Sequence, residues 1–271
     1  MENVTYVREN AAVESVKKEF VVVANRLPVD VTVTEDAKGE KKLTWKRSPG
    51  GLVTALEPVM QANDGAWVGW SGKADVEVEP FEANNMSLYP VPLSADEVSD
   101  YYEGCANGTL WPLYHDVIVP PEFHRPWWAT YERVNKRFAE AAIACAAPGA
   151  TVWVHDYQLQ LVPALIRKAR PDVRIGFFDH IPFPPVEIFS QLPWRRQVIE
   201  GLLGCDLLGF QRAGDAANFL RAVRRFTTAP VRGQMITVTE RNGDGSPTTR
   251  EVRAAPFPIS IDAEGFDSLA R

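Results

Sequence analysis

Short apolar runs with the composition of buried strands recur along this chain and alternate with segments of helical spacing. The runs Phe20–Ala24, Thr151–Val154 and Val173–Phe178 are rich in β-branched and aromatic residues. Strands of this kind are typically buried on both faces of a parallel sheet. Helical patterns follow at 162–170 and 193–203, so the order of elements is β-α-β-α with short links. This order predicts an α/β fold on a doubly wound, mainly parallel sheet with helices on both faces.

Polar residues follow three of the predicted strands at the point where each strand ends. Asn25-Arg26 follows the first run, His155-Asp156 the second and Asp179-His180 the third. Because the carboxyl ends of parallel strands lie at one edge of a sheet, we expect these groups to share a crevice. The prolines after His180 predict a stiff, non-helical ledge that holds the imidazole over that crevice. The alternative is a structural histidine that only caps its strand.

Other candidate residues near these strand ends have both a binding and a structural interpretation. Gly50-Gly51 precedes a helical pattern, where it would admit a diphosphate to the free N–H groups or form an ordinary tight turn. Arg26 has the fork geometry of a phosphate ligand and no acidic partner is expected nearby in sequence, although a salt bridge is the alternative. Asp156 would accept sugar hydroxyls or cap the following helix. The aromatic residues that offer a face to a sugar ring or pack in the core are Tyr101, Tyr102, Trp111, Trp127 and Trp128.

Turn and cap signals predict the remaining elements. A charged segment between two alternating runs predicts a hairpin at 29–46, and Asn-Gly and Asp-Gly steps predict a second hairpin around 242–245. Ser94 with Glu97 three residues later has the capping-box pattern of a helix start. Trp127–Ala147 is an alanine-rich helical pattern that Pro148-Gly149 follows.

Composition restricts the classes of partner. The 271 residues include 29 basic and 35 acidic side chains, for a formal net charge of −6, which argues against nucleic acid or an anionic membrane as partner. The three cysteines are odd in number and widely spaced, which predicts reduced, buried thiols and neither a disulfide framework nor a metal site. The polar N-terminus and the lack of a long apolar stretch predict a cytoplasmic protein without a membrane anchor.

Several longer motifs stand in a characteristic order between Phe20 and Ile261. They are Val23–Pro28, Ser48–Leu52, Trp67–Trp70, Tyr101-Tyr102, Leu110–His115, Val154–Leu159 and His180–Pro184. Together they closely resemble the trehalose-6-phosphate synthases, a family of retaining glycosyltransferases. The resemblance implies transfer of glucose from UDP-glucose, or GDP-glucose in some members, to glucose 6-phosphate. It also implies the N-terminal half of a two-domain B-type glycosyltransferase fold with Rossmann-like halves.

The resemblance also implies roles for particular residues on the acceptor side. Arg26 would hold the acceptor phosphate, and Tyr102 and Asp156 would bind the acceptor sugar. Trp111 would help to select the α-anomer of the acceptor.

On the donor side the resemblance implies that Gly50 and Gly51 line the diphosphate. His180 would touch the donor glucose near the reacting carbon, so His180 and Asp156 are the expected catalytic residues. Neither a metal nor another cofactor is expected in this family, and no enzyme nucleophile is assigned.

The same resemblance divides the chain into three parts. Residues 1–18 are expected to be a leader, 19–260 the acceptor-side Rossmann-like domain, and 261–271 the start of a connection to a missing C-terminal nucleotide-sugar domain. Little or no transferase activity is therefore expected of this chain alone, and a non-catalytic sugar-phosphate-binding or regulatory subunit is the alternative. A homo-oligomer and a trehalose-6-phosphate phosphatase in the same pathway are the further expected partners.

Asp179 departs from the family pattern, which has an apolar residue at this position. Neighbouring side chains of a strand point to opposite faces, so Asp179 is not expected to pair with His180. A buried carboxylate without a partner costs on the order of several kcal/mol. The sequence therefore predicts either a donor for Asp179 elsewhere or a weakened site.

Overall fold

The computed structural model describes residues 16–35, 41–48, 50–83, 86–241 and 245–259. Within these ranges the chain forms a ten-stranded sheet and a separate two-stranded sheet. The strands are β1 Lys18–Arg26, β2 Val29–Glu35, β3 Lys41–Arg47, β4 Ala66–Trp70, β5 Phe81–Ala83, β6 Met86–Pro90, β7 Ala146–His155, β8 Arg174–Asp179, β9 Leu207–Phe210, β10 Val231–Arg232, β11 Met235–Arg241 and β12 Pro247–Pro256. The helices are α1 Gly51–Ala62, α2 Ala95–Glu97, α3 Trp111–His115, α4 Arg125–Cys145, α5 Val162–Ala169, α6 Val186–Phe189, α7 Arg195–Leu202 and α8 Ala213–Phe226, with a π-helix at Val98–Leu110 and a 3₁₀ turn at Tyr157–Leu159.

The order of the strands shows a doubly wound sheet. Its central part, β12-β9-β8-β7-β1-β4-β6, is parallel throughout, and antiparallel strands complete both edges. The chain starts in the middle at β1, moves outward through β4 and β6, returns to β7 on the other side of β1, and then moves outward through β8, β9 and β12. The predicted α/β fold with a mainly parallel sheet is therefore confirmed.

Alternate residues of β1 enter two different cores. Val21 and Val23 pack into the larger core, which α4, α5, α7 and α8 cover. Val22 packs on the opposite face with Leu56 and Met60 of α1. All three valines are fully buried, and each such side chain contributes about 1.5–3 kcal/mol of transfer free energy. Helices α4, α5, α7 and α8 therefore lie on the first face of the sheet, whereas α1 lies on the second.

Several predicted elements are present with shifted ends. The capping box at Ser94 and Glu97 is confirmed, and the helix that it opens continues as the π-helix. Helix α4 ends at Cys145, two residues before the expected end, because Ala146 already pairs with Lys18 at the start of β7. Lys18 is also the first residue of β1, so this strand begins inside the expected leader.

The two predicted hairpins are also formed. Strand β2 pairs with β3, and β11 pairs with β12, both antiparallel. Residues 242–244 of the second turn lie outside the described residues. The same holds for residues 1–15 of the expected leader and for the expected connection at 261–271.

The cysteines match their expected state. Cys105, Cys145 and Cys205 are free and buried, and burial raises the pKa of the Cys145 and Cys205 thiols to about 12. No helix in the described part of the chain has the length and apolar character needed to cross a membrane.

Candidate active site

The sheet has a topological switch point between β1 and β7. From there the chain winds outward in both directions, so no crossover helix covers the carboxyl ends of the two strands. The crevice that results at such a point is the usual ligand site of an open α/β sheet. Strand β1 ends at Arg26, β7 ends at His155 and the neighbouring β8 ends at Asp179. Arg26, Asp156 and His180 therefore lie along one rim of the sheet, as the strand order predicts.

Asp156 has an unusual backbone conformation. Its φ of 75° and ψ of 165° lie in a region that only glycine occupies readily. The backbone N–H of Asp156 donates to the Phe178 carbonyl over 2.8 Å, and Oδ1 accepts from the backbone N–H groups of Tyr157 at 3.1 Å and His180 at 3.3 Å. The carboxylate therefore caps the turn after β7 and also ties it to the end of β8.

The second carboxylate oxygen of Asp156 is free for a ligand. Oδ2 has no hydrogen-bond partner among the described residues and is not fully buried. Burial raises the pKa of Asp156 to about 6, against the lowering effect of the two N–H donors. A strained residue whose carboxylate has a raised pKa and one free oxygen is typical of a functional site.

We expect Asp156→Gly to unfold at higher urea concentration than Asp156→Ala. Both variants lose the carboxylate, but only glycine adopts the native dihedrals without strain, so the glycine variant is more stable by about 1–3 kcal/mol. The matched control is the same pair of substitutions at Glu132, which is exposed within α4. There we expect Glu132→Ala to be more stable than Glu132→Gly by about 1 kcal/mol, because alanine has the higher helix propensity. An alanine variant at 156 as stable as the glycine variant would show that the backbone is not strained.

A pair of histidines lies on the α1 side of the rim. Nδ1 of His155 is 3.0 Å from Nε2 of His180, and the two rings are inclined by 28°. Burial lowers the pKa of His180 to about 4 and that of His155 to about 3, with a further lowering of the latter by His180. Both imidazoles are therefore neutral at neutral pH. Sequence reasoning assigned His155 no role of its own, and its position at the end of a buried strand was the available signal.

An apolar cavity of about 380 Å³ joins the histidine pair to the first turns of α1. Its walls include His155, His180, Trp153, Gly176 and Phe178 of the sheet side, Leu52, Ala55, Leu56 and Val59 of α1, and Leu207, Gly209, Phe257 and Ile259 at the far end. Leu52 and His180 line the same cavity, so the start of α1 and the candidate catalytic histidine face one common space.

The start of α1 has the features of an anion site. Gly50 has an extended backbone with φ of −174° and is the N-cap residue of α1. Because glycine has no side chain, it makes no capping hydrogen bond to the helix. No acidic residue occupies the first turn, and a Cβ on Gly51 would meet no atom within 4 Å. The glycine pair therefore leaves the N–H groups of the helix start open to an anion, and the left-handed backbone of a tight glycine turn is not present at Gly50.

Arg26 has an acidic partner, which corrects the expectation from the sequence. Its Nη2 donates to Oδ1 of Asp30 over 3.1 Å. The side chains of Arg26 and Asp30 are 43% and 42% exposed. The guanidinium also lies over the Trp70 ring, 5.2 Å from its centroid. The expectation failed because the chain turns back after β1 and brings a residue only four positions later beside the arginine.

Tyr102 lies near the same tryptophan. Its ring centroid is 6.0 Å from that of Trp70. Arg26 and Tyr102, the residues expected to bind the acceptor, therefore both contact Trp70.

The predicted aromatic set divides into core and surface residues. Tyr101 and Trp128 are buried, and the Tyr101 hydroxyl donates to Oδ1 of Asn25 over 2.8 Å. Trp127 is partly buried against the core. Trp111 is 41% exposed and packs against His115 with ring centroids 4.2 Å apart. Tyr102, Trp111 and Trp127 of this set are not fully buried and remain as aromatic faces for a sugar.

Asp179 lies on the opposite face of β8 from His180, as the alternation of side chains predicts. It is 1% exposed, and neither carboxylate oxygen has a well-formed hydrogen bond in the described residues, although the backbone N–H of Ile181 lies near enough to offset part of the effect of burial. Burial, with a further contribution from the negative Asp156, raises the pKa of Asp179 well above its usual value. Both effects favour the neutral form of the carboxyl group.

Comparisons with known proteins agree with this geometry. The model of glycosyltransferase family 20 matches residues 18–271. A trehalose-6-phosphate synthase of Mycobacterium sp. (strain KMS) is 56% identical over 253 residues, which are 93% of this chain and 51% of that protein. The chain thus spans about half the length of the curated relatives that it matches.

Solved structures give the same result. A trehalose-6-phosphate protein from E. coli bound with UDP-2-fluoro glucose is 30% identical with a TM-score of 0.74, over 93% of this chain and 51% of that chain. A UDP-forming α,α-trehalose-phosphate synthase of Burkholderia xenovorans in complex with glucose 6-phosphate is 27% identical with a TM-score of 0.74, over 93% and 52%. The chain belongs to glycosyltransferase family 20.

Proposed function

We propose that this chain forms the acceptor-binding part of a retaining glycosyltransferase that transfers glucose from UDP-glucose or GDP-glucose to glucose 6-phosphate. The product is α,α-trehalose 6-phosphate. The observation that carries the proposal is the convergence of Arg26, Asp156 and His180 on one rim at the switch point of the sheet. Residues 19–260 are proposed as the acceptor-side domain.

The acceptor is bound by groups around Trp70 and Asp156. The Arg26 guanidinium supplies two parallel donors to the phosphate, and Tyr102, which also contacts Trp70, binds the acceptor sugar. The free Oδ2 of Asp156 accepts a sugar hydroxyl in a charge-assisted hydrogen bond, and the exposed indole of Trp111 selects the α-anomer.

The donor is bound at the start of α1. A nucleoside diphosphate gains negative charge as it leaves, so preorganised N–H donors at Gly50-Gly51 stabilise the transition state more than the ground state. His180 contacts the donor glucose as a neutral imidazole. The acceptor hydroxyl attacks from the face that the diphosphate leaves, which needs neither an enzyme nucleophile nor a metal.

The substrates named for two structural relatives support this proposal. The E. coli protein was solved with UDP-2-fluoro glucose, and the Burkholderia xenovorans protein with glucose 6-phosphate. An enzyme class that removes the phosphate from trehalose 6-phosphate would consume the product. A cytoplasmic location and a homo-oligomeric state complete the proposal.

Binding of glucose 6-phosphate tests the acceptor site directly. We expect glucose 6-phosphate to raise the unfolding temperature of the chain and to bind in calorimetry, whereas glucose without the phosphate binds far more weakly. Absence of binding at millimolar glucose 6-phosphate would refute the acceptor site.

We expect the affinity for glucose 6-phosphate to fall as the pH falls through 6. The pKa of Asp156 is raised to about 6, so protonation below that pH removes the charged carboxylate that accepts the sugar hydroxyl. The affinity then falls by a factor that approaches about tenfold per pH unit. The ligand phosphate titrates in the same range. Asp156→Asn is therefore the control, because its remaining pH dependence belongs to the phosphate alone. Equal pH profiles for the two proteins would contradict a role for the Asp156 carboxylate.

A non-catalytic sugar-phosphate-binding or regulatory subunit is the second candidate. The unpaired, buried Asp179 behind the histidine that contacts the donor favours it. A coupled assay of nucleoside diphosphate release with UDP-glucose or GDP-glucose and glucose 6-phosphate separates the two functions. Turnover supports the transferase. Because little or no activity is expected of the chain alone, binding of glucose 6-phosphate without turnover supports the binding subunit only if it persists after the chain is fused to the C-terminal half of a family relative.

A further inference from the structure

The side chain of His155 has no part in the proposed binding of either substrate, yet it is tied to the histidine that has one. It is 1% exposed, and its Nδ1 lies 3.0 Å from Nε2 of His180. Its other ring nitrogen, Nε2, is buried without a hydrogen-bond partner among the described residues. Nδ1 of His180 likewise has no protein partner in the described ranges, but it is not fully buried. His155 therefore occupies one ring nitrogen of His180 and leaves the other for a ligand.

The direction of the hydrogen bond decides what that free nitrogen can do. Each neutral imidazole carries one N–H, and the short contact requires one proton between the two facing nitrogens. If His180 donated, then His155 would carry its own proton on Nε2. That N–H would be buried in the wall of an apolar cavity without an acceptor.

The opposite direction avoids an orphaned donor. If His155 donates from Nδ1, its buried Nε2 holds only an unpaired lone pair. Buried N–H groups without a partner are rarer in proteins than under-satisfied acceptors. His180 then accepts at Nε2 and must carry its proton on Nδ1.

Other contacts hold the ring of His180 in place for this role. Its backbone N–H donates to Oδ1 of Asp156 over 3.3 Å, and its ring centroid is 4.7 Å from that of Phe178. The titratable groups nearby are Asp156, which binds the backbone, and Asp179, which lies on the other face of the strand. Neither carboxylate competes with His155 for the imidazole of His180.

We propose that His155 is a positioning residue that holds His180 in the Nδ1–H tautomer, so that the free ring nitrogen of His180 is a hydrogen-bond donor. His180 then offers a proton to an oxygen of its ligand and does not act as a general base. The identity of that oxygen, a hydroxyl of the donor glucose or an oxygen of its diphosphate, rests on the proposed function. The tautomer does not.

Long-range ¹H–¹⁵N correlation spectra of the labelled chain report the protonation of each histidine nitrogen. The sequence has four histidines, and Nδ1 of His115 lies 2.8 Å from the Trp111 carbonyl oxygen, which can only accept. His115 is therefore an internal standard for the Nδ1–H tautomer. We expect His180 to show the same pattern as His115, and a spectrum with the proton of His180 on Nε2 would overturn the proposal.

Two variants of His155 separate positioning from packing. His155→Phe keeps a ring in the core but removes the donor, so we expect His180 to lose its single tautomer and to populate the Nε2–H form. His155→Asn places an amide N–H near the former Nδ1, and we expect it to restore the Nδ1–H form of His180. A wild-type pattern at His180 in the phenylalanine variant would contradict the proposal. If that variant does not fold, the wild-type and asparagine spectra still decide the question.

Addition of UDP-glucose to the wild-type chain keeps the two hypotheses distinct. A shift of the His180 Nδ1 signal supports the proposed donor contact and shows which nitrogen makes it. Nδ1–H in the free chain without any response to UDP-glucose supports the tautomer and counts against the proposed function.

Discussion

Asp179→Val is expected to stabilise the chain by roughly 2 to 4 kcal/mol at pH 7. The carboxyl group is buried on the face of β8 that packs into the larger core, and it has no well-formed hydrogen bond in the described residues beyond a weak contact with the backbone N–H of Ile181. Replacement of even a buried ion pair by apolar residues of similar volume is often neutral or stabilising by about 1–4 kcal/mol, and the Asp179 carboxyl has no ion pair to lose. Valine also suits a strand and matches the apolar residue expected at this position. Urea unfolding of the two proteins at several pH values measures the difference.

The pH dependence identifies the cause of this gain. Burial raises the folded-state pKa of Asp179 above the unfolded value, so the native state binds the proton more tightly than the unfolded state. Burial of Asp179 therefore lowers the free energy of unfolding least below about pH 4. As the pH rises above this value, the wild-type chain loses up to about 1.4 kcal/mol of stability per pH unit. The advantage of Asp179→Val should grow as the pH rises above about 4.

Two controls accompany this prediction. Asp179→Asn removes the titrating group but leaves a buried polar group, so we expect it to stabilise the chain less than Asp179→Val does. Its gain over the wild type should change with pH in the same way, because the wild-type carboxyl group causes that change. Asp116→Asn changes an exposed aspartate whose left-handed backbone suits asparagine equally, and we expect no change beyond about 0.5 kcal/mol. A valine variant less stable than wild type at pH 7 would show that Asp179 is satisfied.

Arg26→Ala is expected to weaken binding of glucose 6-phosphate by roughly 30- to 150-fold. A hydrogen-bonded contact to a charged group contributes about 1.5–3 kcal/mol, and a bidentate phosphate contact lies at the upper end. Arg26 is 43% exposed in its side chain and packs over Trp70, so its removal should leave the fold intact. Calorimetric titration and a circular dichroism spectrum of the variant measure the two effects.

The ion pair of Arg26 provides a control of opposite sign. Asp30 accepts from the guanidinium over 3.1 Å and places a negative charge beside the proposed phosphate. Asp30→Asn removes this repulsion, and we expect a gain in affinity of a few-fold at low salt. A loss of affinity in Asp30→Asn would mean that the aspartate holds the arginine in its binding position. Unchanged affinity in Arg26→Ala would contradict the acceptor site at this arginine.

The sequence by itself determined the sheet and the rim. Buried runs such as Thr151–Val154 and Val173–Phe178 are recognisable because strands covered on both faces need apolar, β-branched residues throughout. Once these strands are parallel, the polar residues that follow them meet at one edge without further assumptions. The gathering of Arg26, Asp156 and His180 therefore required only strand order.

The tertiary structure alone decided which of these groups touch and in what state. The bond between His155 and His180 depends on the register of β7 against β8, and the contact of Asp30 with Arg26 depends on the turn after β1. The strained backbone of Asp156 is a set of dihedral angles that its side chain does not prefer. Pairwise contacts and backbone angles arise from the packing of the whole chain, whereas the sequence pattern reports only which residues are buried and where each strand ends.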